Sequence, residues 1–150
     1  MNALAASFRL DGRRALVTGS SSGIGAAIAL AFAEAGADVM IHHAGCPGPA
    51  NEIVGRIRQL GRLTGLVEAD FSDPAAPRTV HAAAEEALGG LDILVSNVAV
   101  QHPSDWTQIT REQFDTQVAV NWRSALELIQ LAAPAMLARG WGRVLTIGIS

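Results

Sequence analysis

The 150-residue sequence predicts an α/β fold in which helices cover both faces of a doubly wound parallel sheet. Three observations predict it. Short aliphatic, β-branched runs alternate with longer segments whose apolar residues recur at helical spacing. Glycine follows the helical segments, at Gly36, Gly61, Gly89–Gly90 and Gly140, where a chain leaving a helix turns most easily. The run Leu91–Ser96 is nearly all apolar, as in a strand covered on both sides. Strands separated by helices pair in parallel, and right-handed crossovers then give a three-layer α/β/α arrangement.

The elements follow in order. Ala15–Val17 is the first strand, stopped by Thr18–Gly19. Ile24, Ile28, Ala31, Phe32 and Ala35 mark one face of the first helix. Val39–Ile41 is the second strand, and Cys46–Pro49 read as a Gly/Pro-rich loop before a helix over Ala50–Leu60. Leu63–Glu68 is the third strand. Ser72-Asp73-Pro74 reads as a helix start, with proline at a tolerated first position, and that helix runs to Leu88. Leu91–Ser96 is the fourth strand, Asp105–Arg139 is largely helical in two pieces, and Arg143–Ile149 is the fifth strand. Nothing follows to cover the far side of that last strand, so the reading is one domain, residues 1–150, as the first part of a larger one, its sheet incomplete at the C-terminus.

Composition narrows the chemistry. Hydrophobic residues make up 49% and charged residues 17%, the balance of a folded domain. All eleven cations are Arg; against 14 acids they leave a net charge of −3, which argues against nucleic acid or an anionic membrane as partner. The single Cys46 excludes an intrachain disulfide and a Cys-rich metal centre, and no metal site is expected. No apolar run reaches the ~18 residues of a membrane span, no cationic leader precedes an apolar stretch, and the expected location is the cytoplasm.

The most informative stretch is Thr18-Gly19-Ser20-Ser21-Ser22-Gly23-Ile24-Gly25, between the first strand and the first helix. Glycines let the backbone turn sharply and approach a ligand closely, and a helix N-terminus offers unpaired N–H groups and a positive dipole end to an anion. The hydroxyls of Ser20, Ser21 and Ser22 add donors for phosphate oxygens. This strand–turn–helix context points to a dinucleotide's pyrophosphate, although the spacing is G-x-x-x-G-x-G and not the general G-x-G-x-x-G. A methyltransferase also pairs a glycine turn with a parallel sheet, but adenosyl-methionine carries no phosphate to explain the serines.

That spacing resembles the T-G-x-x-x-G-[IL]-G motif of the short-chain dehydrogenase/reductase family, and the resemblance runs along the whole chain. Asp70-Phe71-Ser72-Asp73 resembles the family's adenine-contacting acidic segment. Leu91-Asp92-Ile93-Leu94-Val95-Ser96-Asn97-Val98-Ala99 resembles its L-D-x-L-V-N-N-A-G. Val120-Asn121 with Ala132–Met136 resembles its active-site Asn helix, and Gly142–Ile147 the strand that leads to its catalytic Ser. The resemblance implies a Rossmann-type fold and NAD(P)-dependent hydride transfer between nicotinamide and a carbonyl or secondary alcohol of a small molecule. It assigns cofactor contacts to Gly19, Ser21, Ser22, Gly23, Ile24, Gly25, His43, Asp70, Phe71, Asn97 and Val98. The fourth-strand motif departs from the family at Ser96 and at Ala99, whose methyl stands where the family usually has glycine.

The choice of dinucleotide turns on the end of the second strand. An acid there accepts from the adenosine ribose hydroxyls of NAD, whereas a nearby cation receives the extra phosphate of NADP. The position falls at His43, which is not acidic, and the reading favours NADP over NAD. The other reading of His42 and His43 is a strand-end pair with one solvated ring.

In the family, Asn, Ser, Tyr and Lys carry the chemistry. Asn121 is the candidate for the first; its family role is to bend its helix and hold a water linked to the Lys. Ser150 is the candidate for the second, one place later than the family spacing, an offset that a bulge would correct. The 150 residues contain no Tyr and no Lys, so either the chain is truncated or it binds a dinucleotide without that chemistry. Gln101, His102, Ser104 and Trp106 follow the fourth strand and are candidates to line a substrate pocket. Trp122 and Trp141 read as packing residues. The apolar stripe from Phe114 to Met136 implies, by the same resemblance, a homodimer or homotetramer.

Overall fold

The structure is a computed structural model and describes residues 8–102 and 105–148. Five parallel strands, β1 (Arg14–Val17), β2 (Asp38–His43), β3 (Thr64–Glu68), β4 (Ile93–Ser96) and β5 (Arg143–Thr146), form one sheet in the order β3-β2-β1-β4-β5. From β1 the chain builds one half of the sheet through β2 and β3. It then returns to the other side of β1 with β4 and β5, so the strand order reverses beside β1. Val17 stands between Ile41 of β2 and Val95 of β4, which places the end of β1 at the reversal point. In open sheets of this kind the crevice at the carboxyl end of that point is where ligands bind.

The alternation of side chains along β1 explains the layers. Ala15 and Val17 face one core with α1 (Gly23–Glu34) and α2 (Pro47–Gln59), where Ala29, Leu30, Ile53 and Ile57 pack. Leu16 faces the other core with α3 (Ala76–Leu88) and α5 (Ser124–Ala138), where Val80, Leu88, Leu128 and Met136 pack. A buried leucine in such a layer, Leu94 for example, contributes about 2–5 kcal/mol against truncation to alanine.

The element limits differ from expectation in ways with local causes. α2 begins at Pro47, because the missing N–H of a proline is harmless in a first turn. α3 begins at Ala76, not at Ser72, because residues 70–75 form turns of their own. Asp70 Oδ1 accepts from the Ser72 N–H and Asp73 Oδ1 from the Ala75 N–H, both at 2.8 Å. β4 is observed from Ile93, and Asp92 just before it bonds through its backbone to Arg14 and Arg143 and through its side chain to Arg14. The Arg14 guanidinium donates to its two carboxylate oxygens at 2.8 and 3.0 Å.

The long helical segment has four parts and not two. A short 3₁₀ turn (Trp106–Gln108) precedes α4 (Arg111–Val118), which starts on a capping box. Thr110 Oγ1 accepts from the Gln113 N–H at 3.2 Å, and Gln113 Oε1 accepts from the Thr110 N–H at 3.0 Å. A single π turn (Ala119–Arg123) then joins α4 to α5. β5 is observed over Arg143–Thr146, and Ser150 lies outside the described residues. Trp122 is corrected from a packing residue to a surface one, 72% exposed, whereas Trp141 does pack against the α1 side of the core, under the Arg13 guanidinium at 3.7 Å.

Candidate functional site

The site begins at the end of β1. Gly19 and Gly23 take positive φ, +62° and +55°, a conformation that side-chain-bearing residues rarely hold, and they turn the chain from β1 into α1. Gly25 serves a different need. A Cβ there would overlap the Gly19 carbonyl oxygen and come within 2.6 Å of Asn97 Nδ2, so a glycine lets α1 close onto the turn.

The start of α1 is left open. Ser22, its N-cap, is extended and makes no side-chain cap, and no acid occupies the first turn. The first N–H groups of the helix are therefore without a side-chain partner at its positive end. Ser21 is half-buried; Ser22, Gly23 and Ile24 are exposed. An anion held there meets backbone donors and no carboxylate, which fits a diphosphate.

Ser20 does not belong to that donor set. It is fully buried, its Oγ donates to the Val17 carbonyl at 2.7 Å, and it accepts from the His42 N–H at 3.1 Å. The turn is instead braced from below. Thr18, also fully buried, accepts through Oγ1 from the Asn97 and Val98 N–H groups at 2.9 and 3.1 Å. Asn97 Nδ2 donates back to the carbonyls of Thr18 and Gly19 at 3.0 and 3.2 Å. The end of β4 and the glycine turn thus hold each other, and Asn97 is placed beneath the turn.

Asp70 and Phe71 follow β3. Asp70 is exposed, while Phe71 is buried and stacks on the His42 ring with centroids 4.7 Å apart. Between this turn and the end of β4 lies a cavity of about 360 Å³, lined among others by His42, Asp70, Phe71, Val98 and Ala99. Ala99 is exposed there and carries no positive φ, so its methyl is accommodated without backbone strain. His43 sits at the end of β2 with its ring buried, and its Nδ1 accepts from the Cys46 N–H at 3.2 Å. Neither histidine of the pair is solvated: they are 1% and 2% exposed.

On the other side of Val98 two further cavities, of about 410 and 320 Å³, share Val98, Asn121, Ile147 and Gly148. Gln101 and Ala99 line the smaller, and Trp122 and Leu126 the larger. His102 is half-buried beside these cavities' loop, Trp106 is exposed, and Ser104 lies outside the described residues.

Asn121 stands in the π turn with its amide committed to Val100. Oδ1 accepts from the Val100 N–H at 2.7 Å and Nδ2 donates to the Val100 carbonyl at 2.8 Å. This pairing imitates a strand partner and fixes the loop after β4, leaving one N–H and one lone pair of the amide for other use. Ser124 is the residue that sequence reasoning missed here. Its N–H reaches back to Ala119, and its buried Oγ donates at 2.6 Å to the Val120 carbonyl, which the π turn has freed. A hydroxyl three places after the candidate Asn was the available signal.

Strand order, switch point and glycine turn together define the class: a Rossmann-type α/β domain. The chain matches the short chain dehydrogenase family over residues 13–149 and belongs to it. It is 36% identical over 138 residues to D-beta-hydroxybutyrate dehydrogenase of Cupriavidus necator, covering 92% of this chain and 53% of that one. It is 35% identical over 133 residues to L-rhamnose 1-dehydrogenase (NAD(P)(+)) of a Sphingomonas species, covering 89% and 52%. A 3-oxoacyl (acyl-carrier-protein) reductase from Agrobacterium tumefaciens, solved with NADP bound, superposes with a TM-score of 0.89 at 41% identity, over 98% of this chain and 56% of that one. The chain therefore spans about half the length of the relatives it matches.

Proposed function

We propose that residues 1–150 form the NAD(P)-holding part of a short-chain oxidoreductase that moves a hydride between nicotinamide and a carbonyl or secondary alcohol of a small molecule. One observation carries this reading: the uncapped, acid-free start of α1, presented by a glycine turn at the reversal point of the sheet. The N–H groups of residues 21–24 would take the diphosphate. The Asp70–Phe71 turn and Ala99 would flank the base, and Val98 the ribose on the nicotinamide side. The nicotinamide, when bound, supplies or receives the hydride.

This chain's own residues orient that chemistry. Asn97 and Thr18 fix the turn, and Asn121 fixes the wall at Val100. Ser150 is kept as the candidate catalytic Ser. A proton donor of the family's Tyr-Lys kind is not among the 150 residues.

NADP is the favoured form. The end of β2 carries His43, Ala44 and Gly45 with no acid, and the Agrobacterium neighbour was solved with NADP. The cytoplasm is the proposed location. Among the described residues, no helix is long and apolar enough to cross a membrane. Exposed Phe114, Leu126 and Leu137 support assembly as a homodimer or homotetramer.

A second reading is nucleotide binding without turnover, for which the altered Ser96–Ala99 segment is the motive. Fluorescence titration with NADPH and NADH separates the cases. Saturable binding of both, tighter for NADPH, supports the cofactor reading, and no binding of either at millimolar concentration overturns it. A Tyr-x-x-x-Lys segment in the gene's continuation past Ser150 would end the second reading.

A further inference from the structure

The imidazole of His42 joins two loops that approach the proposed cofactor from different strands. Its Nδ1 accepts from the Gly19 N–H at 3.0 Å, at the base of the glycine turn. Its Nε2 lies 2.9 Å from the Ala69 carbonyl, at the start of the Asp70–Phe71 turn. An Nδ1 that accepts from an amide carries no hydrogen, so the proton resides on Nε2 and is donated to Ala69. The backbone of the same residue is tied to Ser20 in both directions, at 2.9 and 3.1 Å. One face of the ring meets Phe71, and the ring lines the cavity between Asp70 and Ala99.

The geometry points to His42 as a positioning residue for the cofactor: a single neutral imidazole that sets the distance between the phosphate-holding turn and the base-holding turn. This rests on the cofactor reading above and deepens it. The ring also directs the Gly19 N–H downward, out of the anion's reach, so the donors left for phosphate are those further along, at residues 21–24. A hydrophobic side chain of similar size would fill the space yet leave both the Gly19 N–H and the Ala69 carbonyl unpaired.

Two variants divide the linkage. His42→Asn places an acceptor near Nδ1 and keeps the Gly19 contact; His42→Gln places a donor near Nε2 and keeps the Ala69 contact; His42→Leu keeps neither. Fluorescence titration with NADPH is expected to show Kd raised about tenfold in each of the first two and about a hundredfold in the third, each hydrogen bond being worth about a factor of ten. Thermal midpoints of the Asn and Gln variants are expected to fall by only a few degrees, the cost of one buried group left unpaired, so both stay folded at the temperature of the titration and the change in Kd reports on cofactor binding.

Nitrogen-15 NMR of the unmodified, cofactor-free protein gives a reading that does not depend on any variant folding. Nδ1 of His42 should appear unprotonated and Nε2 protonated at neutral pH. The opposite tautomer, or an imidazolium, overturns the assignment. So does unchanged NADPH affinity in the Asn and Gln variants. If the unmodified protein binds neither NADPH nor NADH while the tautomer is as stated, the cofactor reading fails and His42 is only a structural link, a result distinct from failure at His42 itself.

Discussion

His42 is neutral because burial pushes its pKa down to about 4, a drop the hydrogen bond to the Ala69 carbonyl and the charge of Asp70 oppose and that His43 reinforces. In the unfolded chain the same ring titrates near 6.5. Between those values the unfolded state binds the extra proton, so stability is full above about pH 6.5 and falls as pH drops towards 4, by roughly 3 kcal/mol in all. Urea unfolding at pH 7 and pH 4 should show that loss in the unmodified protein and not in His42→Asn, which has no proton to take up. Equal pH dependence in the two proteins would contradict a buried neutral ring. The histidine's role was not legible in the sequence. His42 and His43 sit side by side on one strand, and only the pleat and the neighbouring loops decide which ring bridges the two turns. Ser20 misled for a similar reason. Three serines in a row look equivalent, but the turn sends Ser20 inward to Val17 and leaves Ser21 and Ser22 nearer the open helix end.

At the scale of elements, the interrupted helix of residues 111–138 is the informative case. Its apolar spacing announced a helix and Asn121 was a candidate within it, yet the π turn that holds Asn121 left no periodic trace, being five residues long. The turn is stable because its freed carbonyl finds the Ser124 hydroxyl, and because the Asn121 amide pairs with Val100. Ser124→Ala should lower urea stability by about 1–2 kcal/mol, the cost of a buried carbonyl left without a partner. The same measurement on a surface serine such as Ser22 should show no comparable change. A Ser124→Ala protein as stable as the unmodified one would mean that the hydroxyl does not hold the turn. The glycines of the turn, by contrast, were legible. Positive φ at Gly19 and Gly23 and the close approach at Gly25 are demands that only glycine meets cheaply, so the motif records the geometry directly.

For the molecule as a whole, the layer order followed from periodicity, since a parallel sheet covered on both faces writes itself as apolar strands between amphipathic helices. Element limits were less legible because side-chain turns decide some of them, as Asp70 and Asp73 do before α3, and long-range ion pairs leave no trace in a local pattern. Asp92 shows this. Burial alone would raise its pKa, but the Arg14 guanidinium hydrogen-bonded to it holds the carboxyl below the ordinary range, and the pair fastens the start of β1 to the chain entering β4. That fastening keeps β1 and β4 in register, and their carboxyl ends carry the two halves of the brace between Thr18 and Asn97. A crystal structure of the protein grown with NADP tests the whole account most directly. The diphosphate is expected within hydrogen-bonding distance of the N–H groups of residues 21–24, with the adenine beside Phe71 and Ala99. A nucleotide seated elsewhere, with those amides facing only solvent, would contradict it.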